Sequence, residues 1–311
     1  MNKRRAVVFA YSSIGCECLT ELLESGVEVA AVFTHEDDPG EERWFRSVRG
    51  LARERGIPVH TPAKPGEPEA LLIRELRPDL IFSFSYRIVL PAAILGLAPL
   101  GAFNIHGALL PRYRGRACVN WAVLRGETRT GVTLHHMTAR VDEGRIVDQE
   151  SVPIGPDDTA HDVFQKMIPA ARRMLRRSLP SVLERTARGY EQDESQATYF
   201  GRRRPEDGLI DWSKPAREIY NLVRALTHPF PGAFALSGGR KLFIWSAVPH
   251  PDERHGAEPG VVISSQPPKV NTGGGTLQIK RAQWGGGEEL EGDELRLPVG
   301  AALTEKDPAR T

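Results

Sequence analysis

The chain has 311 residues, with 41 Lys plus Arg against 40 Asp plus Glu and a formal net charge of +1. At about 100–200 residues per domain the length suggests two domains, and the 40% apolar and 26% charged fractions exclude a disordered or collagen-like chain. The even charge balance exerts no general pull on nucleic acid, and the three cysteines, Cys16, Cys18 and Cys118, form no CxxC pair and suit a reducing, cytoplasmic compartment.

The first predicted element is a strand. Ala6–Ala10, flanked by Lys3-Arg4-Arg5 and Ser13-Ile14-Gly15-Cys16, superficially resembles a lipoprotein signal. Its five apolar residues fall short of the ~7–15 that such a signal uses, so it reads as a buried strand. No stretch nears the ~18–20 apolar residues of a membrane span, and no membrane insertion is expected. Buried strands follow at Val27–Thr34 and Leu80–Phe84, with short ones at Ile57–His60 and Gly101–His106. They alternate with helical patterns at Cys16–Ser25, Phe45–Arg55 and Glu69–Arg77. This alternation predicts an open α/β fold with a parallel sheet, whose ligands bind beyond the carboxyl ends of the strands. A helix is expected from Thr159 to about Arg188, kinked or interrupted at Pro169 and Pro180.

The texture changes after Gly201. One helix, Ser213–Thr227, precedes short strands at Gly232–Leu236, Lys241–Val248, Gly260–Ser264 and Thr276–Ala282, punctuated by glycine runs. Such spacing predicts a small β-barrel or sandwich. The expected division is 1–203 and 204–300, with polar sequence fraying from about Glu288 and a flexible tail at 301–311.

The turn after the first strand, Ala10-Tyr11-Ser12-Ser13-Ile14-Gly15, is no G-x-G-x-x-G, and no P-loop motif occurs. No NAD site is therefore expected. His135-His136 are adjacent, which in a strand turns them to opposite faces; no metal-ligand spacing is present and no metal is expected.

The most informative segment runs from Ala102 through Asn104, His106, Pro111 and Arg112 to Arg116. In a strand Asn104 and His106 project on one side. An amide beside a histidine at a strand's carboxyl end suits carbonyl chemistry: the amide holds a developing oxyanion while the imidazole moves a proton. Two further strands, Thr130–Met137 and Arg145–Pro153, flank a turn that contains Asp142. An aspartate brought to His106 would orient the ring and raise its pKa. Arg112, Arg114 and Arg116 form a basic loop, solvated unless the substrate carries a pyrophosphate for the guanidinium groups to pair with bidentately.

Asn104-x-His106 followed by Leu109-Leu110-Pro111-Arg112-Tyr113-Arg114-Gly115, with Asp142 in a Val-Asp-Glu-Gly turn, resembles the 10-formyltetrahydrofolate-dependent formyltransferases. Phe82–Arg87, Asn120-Trp121, Gly126-Glu127-Thr128, Gly131–His135, Phe200-Gly201-Arg202-Arg203 and Pro229–Phe234 are similar to the members that act on UDP-4-amino-4-deoxy-L-arabinose, in lipid A modification. The resemblance runs from about residue 5 to about 285. It implies a Rossmann-like formyl-transfer domain with a C-terminal OB-like barrel, and a catalytic Asn104, His106 and Asp142. It implies 10-formyltetrahydrofolate as co-substrate, contacting Ile88, Val89, Leu90, Arg116 and the run Thr138, Ala139, Arg140, Val141 and Asp142. Cys118 stands where the family usually has proline. Relatives fused to a decarboxylase domain imply a separate decarboxylase partner for this chain.

Two acceptors remain open at this level, an amino sugar carried on a nucleotide and methionyl-tRNA, as does a catalytically dead binding module. The loop His35-Glu36-Asp37-Asp38-Pro39-Gly40-Glu41-Glu42-Arg43 carries five acids against one Arg. That sign is wrong for a polyanion bound through its phosphates. The expected partners are thus small molecules rather than nucleic acid, with the oligomeric state open.

Overall fold

The computed structural model describes residues 3–36 and 44–303; positions 37–43 of the acidic loop and the tail 304–311 lie outside the described residues. Chain contacts divide the protein into two compact units. The first comprises the chain up to 118 with 129–153 and 164–201; the second comprises 119–128, 154–163 and the chain from 202 onward.

Strands β1 (Arg5–Ala10), β2 (Glu28–Phe33), β3 (Val59–His60), β4 (Leu80–Phe84) and β5 (Ala102–His106) alternate with α1 (Ser12–Glu24), α2 (Val48–Glu54), α3 (Glu67–Leu76) and α4 (Ala92–Leu95). Then come β6 (Arg114–Gly115), α5 (Cys118–Leu124), β7 (Arg129–His136), β8 (Ile146–Pro153), α6 (Ala160–Leu183) and β9 (Tyr199–Phe200). The main sheet has the order β3-β2-β1-β4-β5-β7-β8. Its first five strands are parallel, as expected, whereas β7 and β8 run antiparallel to their neighbours. The short turn that joins β7 to β8 allows only that arrangement. Residues 6–10 are all at 0% exposure, because helices cover both faces of the parallel part; this is why β1 reads as an unbroken apolar run. Phe9 stacks on Phe33 at 4.7 Å in a core shared with Ile73, Ile81, Leu90 and Ile94. Strand order reverses between β1 and β4, so the carboxyl ends of β1, β4 and the neighbouring β5 face the crevice where such sheets take ligands.

Helix α6 runs through Pro169 and Pro180 as one element, so of the expected kink or interruption the interruption does not occur. Each proline costs one backbone hydrogen bond. Burial of Met167, Ala170, Ala171, Met174, Leu175 and Leu179, and ion pairs from Arg172 and Arg176 to α1, hold the helix regardless.

In the second unit α7 (Ala216–Leu226) accompanies β10 (Ala233–Ser237), β11 (Arg240–His250), β12 (Val262–Ser265), β13 (Pro268–Asn271), β14 (Thr276–Trp284) and β15 (Glu289–Glu291). These strands form an antiparallel sheet, β10-β11-β14-β13-β12, with β15 also on β14. Its core gathers Trp212, Ile219, Val223, Ile244, Leu277 and Ile279. The early segments join it by hydrogen bonds: Asn120 donates to the Ala225 carbonyl at 2.8 Å, and the Tyr220 hydroxyl donates to Asp157 at 2.8 Å. The expected fraying from Glu288 does not occur: β15 pairs with β14, and Leu295 and Leu297 are buried in the same core. Nor are residues 301–303 loose. The Leu303 N–H donates to the Gly260 carbonyl at 2.8 Å, and its side chain is 3% exposed. Apolar residues spaced two apart anchor this stretch despite its polar average. Among the described residues no helix is long and apolar enough to cross a membrane.

Candidate active site

Alternation along β5 puts Asn104 and His106 on one side of the sheet, and the register with β7 sets Asn104 opposite His135 and His106 opposite Thr133. Asn104 Nδ2 lies 3.1 Å from His135 Nε2, while His135 Nδ1 lies 2.9 Å from the His136 carbonyl. A carbonyl only accepts, so Nδ1 carries a proton. The NH₂ of Asn104 thus faces His135, with a second N–H still to give.

Asp142 occupies the left-handed region at φ 58 in the turn between β7 and β8. A Cβ at the neighbouring Gly144 would fall 1.8 Å from the His136 carbonyl oxygen, so only glycine lets the turn close. The turn brings Asp142 Oδ2 to 3.4 Å from His106 Nδ1, with both side chains buried, and Oδ1 to 3.6 Å from His135 Nε2. The Gly115 N–H donates to Oδ2 at 2.9 Å. On its other edge His106 Nε2 meets the Tyr113 carbonyl at 2.8 Å and Cys118 Sγ at 3.4 Å. Burial by itself disfavours the imidazolium. The Asp142 carboxylate, helped by Cys118 and the Tyr113 carbonyl, more than offsets that and raises His106 from 6.5 to about 10. Burial likewise opposes ionisation of Asp142, but His106, His135 and the Gly115 N–H hold its pKa below the usual carboxylate range. The result is an imidazole whose charged form is favoured beside a fixed amide, both at the carboxyl end of β5.

The other expected residues divide. Leu90 is 2% exposed and belongs to the core, Ile88 is half-buried, and Val89 is 57% exposed. In the β7–β8 turn Thr138, Ala139 and Arg140 are exposed; Thr138 Oγ1 donates to the Arg140 carbonyl at 2.9 Å, and Arg140 pairs with Glu143 at 2.7 Å. Val141 is 42% exposed. The loops after β4 and β7 thus each leave a large apolar side chain in water. Arg116 is exposed and donates to the Arg87 carbonyl at 2.7 Å; Arg112 is exposed, its guanidinium 5.8 Å from the Tyr113 ring centroid. Arg114 corrects the sequence reading. It is 0% exposed, and its guanidinium is committed to Gln192, Glu194 and Tyr199. It has no face to offer a substrate phosphate.

Sequence reasoning missed His135, the Gly115 N–H, the Tyr113 carbonyl and Cys118 as neighbours of the pair. His135 had been set aside only as a metal ligand; its signal is its place opposite Asn104 in a pairing register that the sequence does not print. Among the described residues no group of three or more His, Cys, Asp or Glu could hold a metal ion.

Residues 4–179 match the family model described as formyl transferase, and residues 203–296 match that of the formyl transferase C-terminal domain. Among solved structures the chain is similar to WlaRD, a sugar 3N-formyl transferase crystallised with dTDP and 5-N-formyl-THF. The TM-score is 0.69 at 20% identity, over 91% of this chain and 98% of that one. It is also similar to an N-formyltransferase from Helicobacter canadensis solved with folinic acid and dTDP-3-aminofucose, with TM-score 0.70 and 20% identity, over 89% and 99% of the two chains. A sugar N-formyltransferase from Shewanella gives TM-score 0.63 at 18% identity, over 78% and 97%. At these identities the likeness speaks to the fold.

Proposed function

The chain belongs to the formyl transferase family, and from that premise we propose that it moves a formyl group from 10-formyltetrahydrofolate to the 4-amine of UDP-4-amino-4-deoxy-L-arabinose. The observation that carries the transfer chemistry is the convergence of His106 and Asp142 at 3.4 Å, with Asn104 two residues along the same strand face. The folate supplies the formyl group. As the neutral sugar amine forms its bond to the formyl carbon, the remaining N–H of Asn104 and the imidazolium of His106 stabilise the charge that builds on the oxygen; such a donor is worth about 2.7–4 kcal/mol of barrier. When the carbon–nitrogen bond to the folate breaks, its electron pair stays on the folate nitrogen, and His106 gives that nitrogen a proton. The amine loses one proton in exchange, which restores His106. The exposed Val89 and Val141 suit the two faces of a pterin ring.

For the acceptor, the motifs around Phe82–Arg87 and Phe200–Arg203, and solved relatives that are sugar N-formyltransferases, support a nucleotide-linked amino sugar. A lipid A role and a cytoplasmic site of action belong to the same reading. The test is an acceptor panel with 10-formyltetrahydrofolate: UDP-4-amino-4-deoxy-L-arabinose, dTDP-3-amino sugars and methionyl-tRNA. Transfer at least ~10²-fold faster in kcat/KM to the arabinose derivative supports the reading, since 10²-fold is about 2.7 kcal/mol of selectivity. Preference for a dTDP sugar or the tRNA overturns it.

A further inference from the structure

Arg114 is the largest fully buried side chain among the described residues, and a buried guanidinium survives only when its donors are met. Gln192 Oε1 accepts from its Nε and Nη2 at 3.1 and 2.8 Å. Glu194 accepts from Nη1 and Nη2 at 2.9 and 2.6 Å, and the Tyr199 hydroxyl accepts from Nη1 at 2.5 Å. Gln192, itself 8% exposed, spends its amide hydrogens elsewhere: Nε2 donates to the Asp142 carbonyl at 2.7 Å and to the Gly144 carbonyl at 2.8 Å. One amide therefore links the buried cation to both carbonyls of the turn that carries the catalytic carboxylate.

The same strap of chain reaches the other side of the pair. Parallel pairing sets Arg114 against Tyr199 and Gly115 against Phe200. A Cβ at Gly115, where φ is 101, would fall 2.2 Å from the Phe200 carbonyl oxygen. That packing aims the Gly115 N–H at Asp142. Thr198 Oγ1 accepts from the Tyr113 N–H at 2.8 Å, and the Tyr113 ring stacks on Phe200 at 4.9 Å, which fixes the carbonyl that meets His106. Residues 192–200 thus bond the backbone next to each group that holds the pair: the N–H groups of Tyr113, Arg114 and Arg116, and the carbonyls of Asp142 and Gly144.

We propose that Arg114 and Gln192 are positioning residues: through the strap at 192–200 they hold the Asp142 carboxylate on His106, without touching substrate. This rests on the formyl-transfer reading for its effect on rate, but not for its effect on the pair. Asp142 sits in the left-handed backbone region at φ 58, which L-residues hold only with local support, so its turn relaxes when the two carbonyls lose their donor. The other charged and titratable groups facing the pair are His135 and Cys118. Those facing Arg114 are Glu194 and Tyr199, and Tyr199 also donates to Glu143, the partner of Arg140.

The test is Gln192→Glu, which keeps acceptors for Arg114 but has no N–H for the two carbonyls. NMR titration of the His106 ring needs no acceptor substrate. Its midpoint is expected to fall by at least about one unit, as when a carboxylate is drawn off an imidazolium. The kcat for formyl transfer should fall at least ~10-fold with folate KM little changed, whereas adding Gln192→Glu to Asp142→Asn should cost less than about twofold, because the brace acts through Asp142. An unmoved His106 midpoint, or an equal loss in the Asp142→Asn background, overturns the proposal. Gln192→Met, which buries no extra charge, is the second variant should circular dichroism show the first unfolded. If wild-type chain formylates none of the amino sugars while the midpoint still falls, the brace stands and the acceptor reading fails.

Discussion

Two sets of opposite charges lie on the same sheet unit, and they differ in burial more than in chemistry. His106 and Asp142 are 3.4 Å apart with side chains 7% and 8% exposed. On α6, Arg177 lies only 2.7 Å from Asp148, but the two are 48% and 24% exposed. The α6 lattice is extensive: Arg172 reaches Glu17, Glu21 and Glu24, and Arg173 and Arg177 reach Glu150. Yet water screens its exposed pairs, such as Arg177–Asp148, which are worth about 0–1 kcal/mol each. The longer, buried pair instead lifts a histidine well above neutrality. Dielectric surroundings rather than separation let one set shift a histidine's titration and make the other a clamp between elements.

The comparison is broken most sharply at the site. His106→Ala and Asn104→Ala should each lower kcat for formyl transfer at least ~10²-fold, the usual scale for losing an acid or an oxyanion donor. In the double variant the losses should fall short of their product, since both groups serve one oxygen. Steady-state rates of the three variants, with folate affinity measured separately, check this. A His106→Ala enzyme of near wild-type rate would remove the acid role.

A smaller effect sharpens the electrostatic half. Asp142→Asn removes the charge that raises His106, so the basic limb of the kcat/KM profile should move to lower pH; a basic limb that stays in place would separate Asp142 from His106. Stability carries the same sign. Because His106 is raised from 6.5 to about 10 on folding, its contribution is complete below pH 6.5 and is lost as pH rises through about 10. Asp142, lowered from 3.8, contributes above pH 3.8 and loses its share as pH falls below that. Urea unfolding at pH 7 and pH 10 should show the alkaline loss in wild type and a flatter response in Asp142→Asn.

The smallest change belongs to the clamp. Arg177→Ala should cost no more than about 1 kcal/mol, and less at high salt, because exposed pairs are screened. Thermal unfolding at two ionic strengths reads it, with formyl transfer unaffected.

Much of this was legible in the chain. Alternation alone put Asn104 and His106 on one face, and the apolar runs located β1, β2 and β4 because strands buried on both sides need no polar residues. Asp142 was visible as a turn residue able to orient His106 if brought to it, and the resemblance made that pairing the expected one. The readings that failed did so where long-range packing outweighed local preference. Pro169 and Pro180 remain inside α6 because buried residues and ion pairs outweigh two lost hydrogen bonds, and the stretch after Glu288 is held by a few leucines in a polar background. Arg114 was misassigned for the same reason. An arginine in a basic loop reads as a phosphate ligand, and nothing local announces that Gln192 and Glu194, nearly eighty positions later, consume its donors.

The sequence by itself determined the residue types for the chemistry, the strand face that presents two of them, and the small-residue turns that allow Asp142 and Gly115 their backbone shapes. The tertiary structure decided the register that sets His135 against Asn104, the depth at which His106 and Asp142 sit, and the strap that pins them. Those depend on which distant segments share a boundary and how much water they exclude. A carboxylate 36 positions from a histidine becomes its partner only when the fold removes the solvent between them.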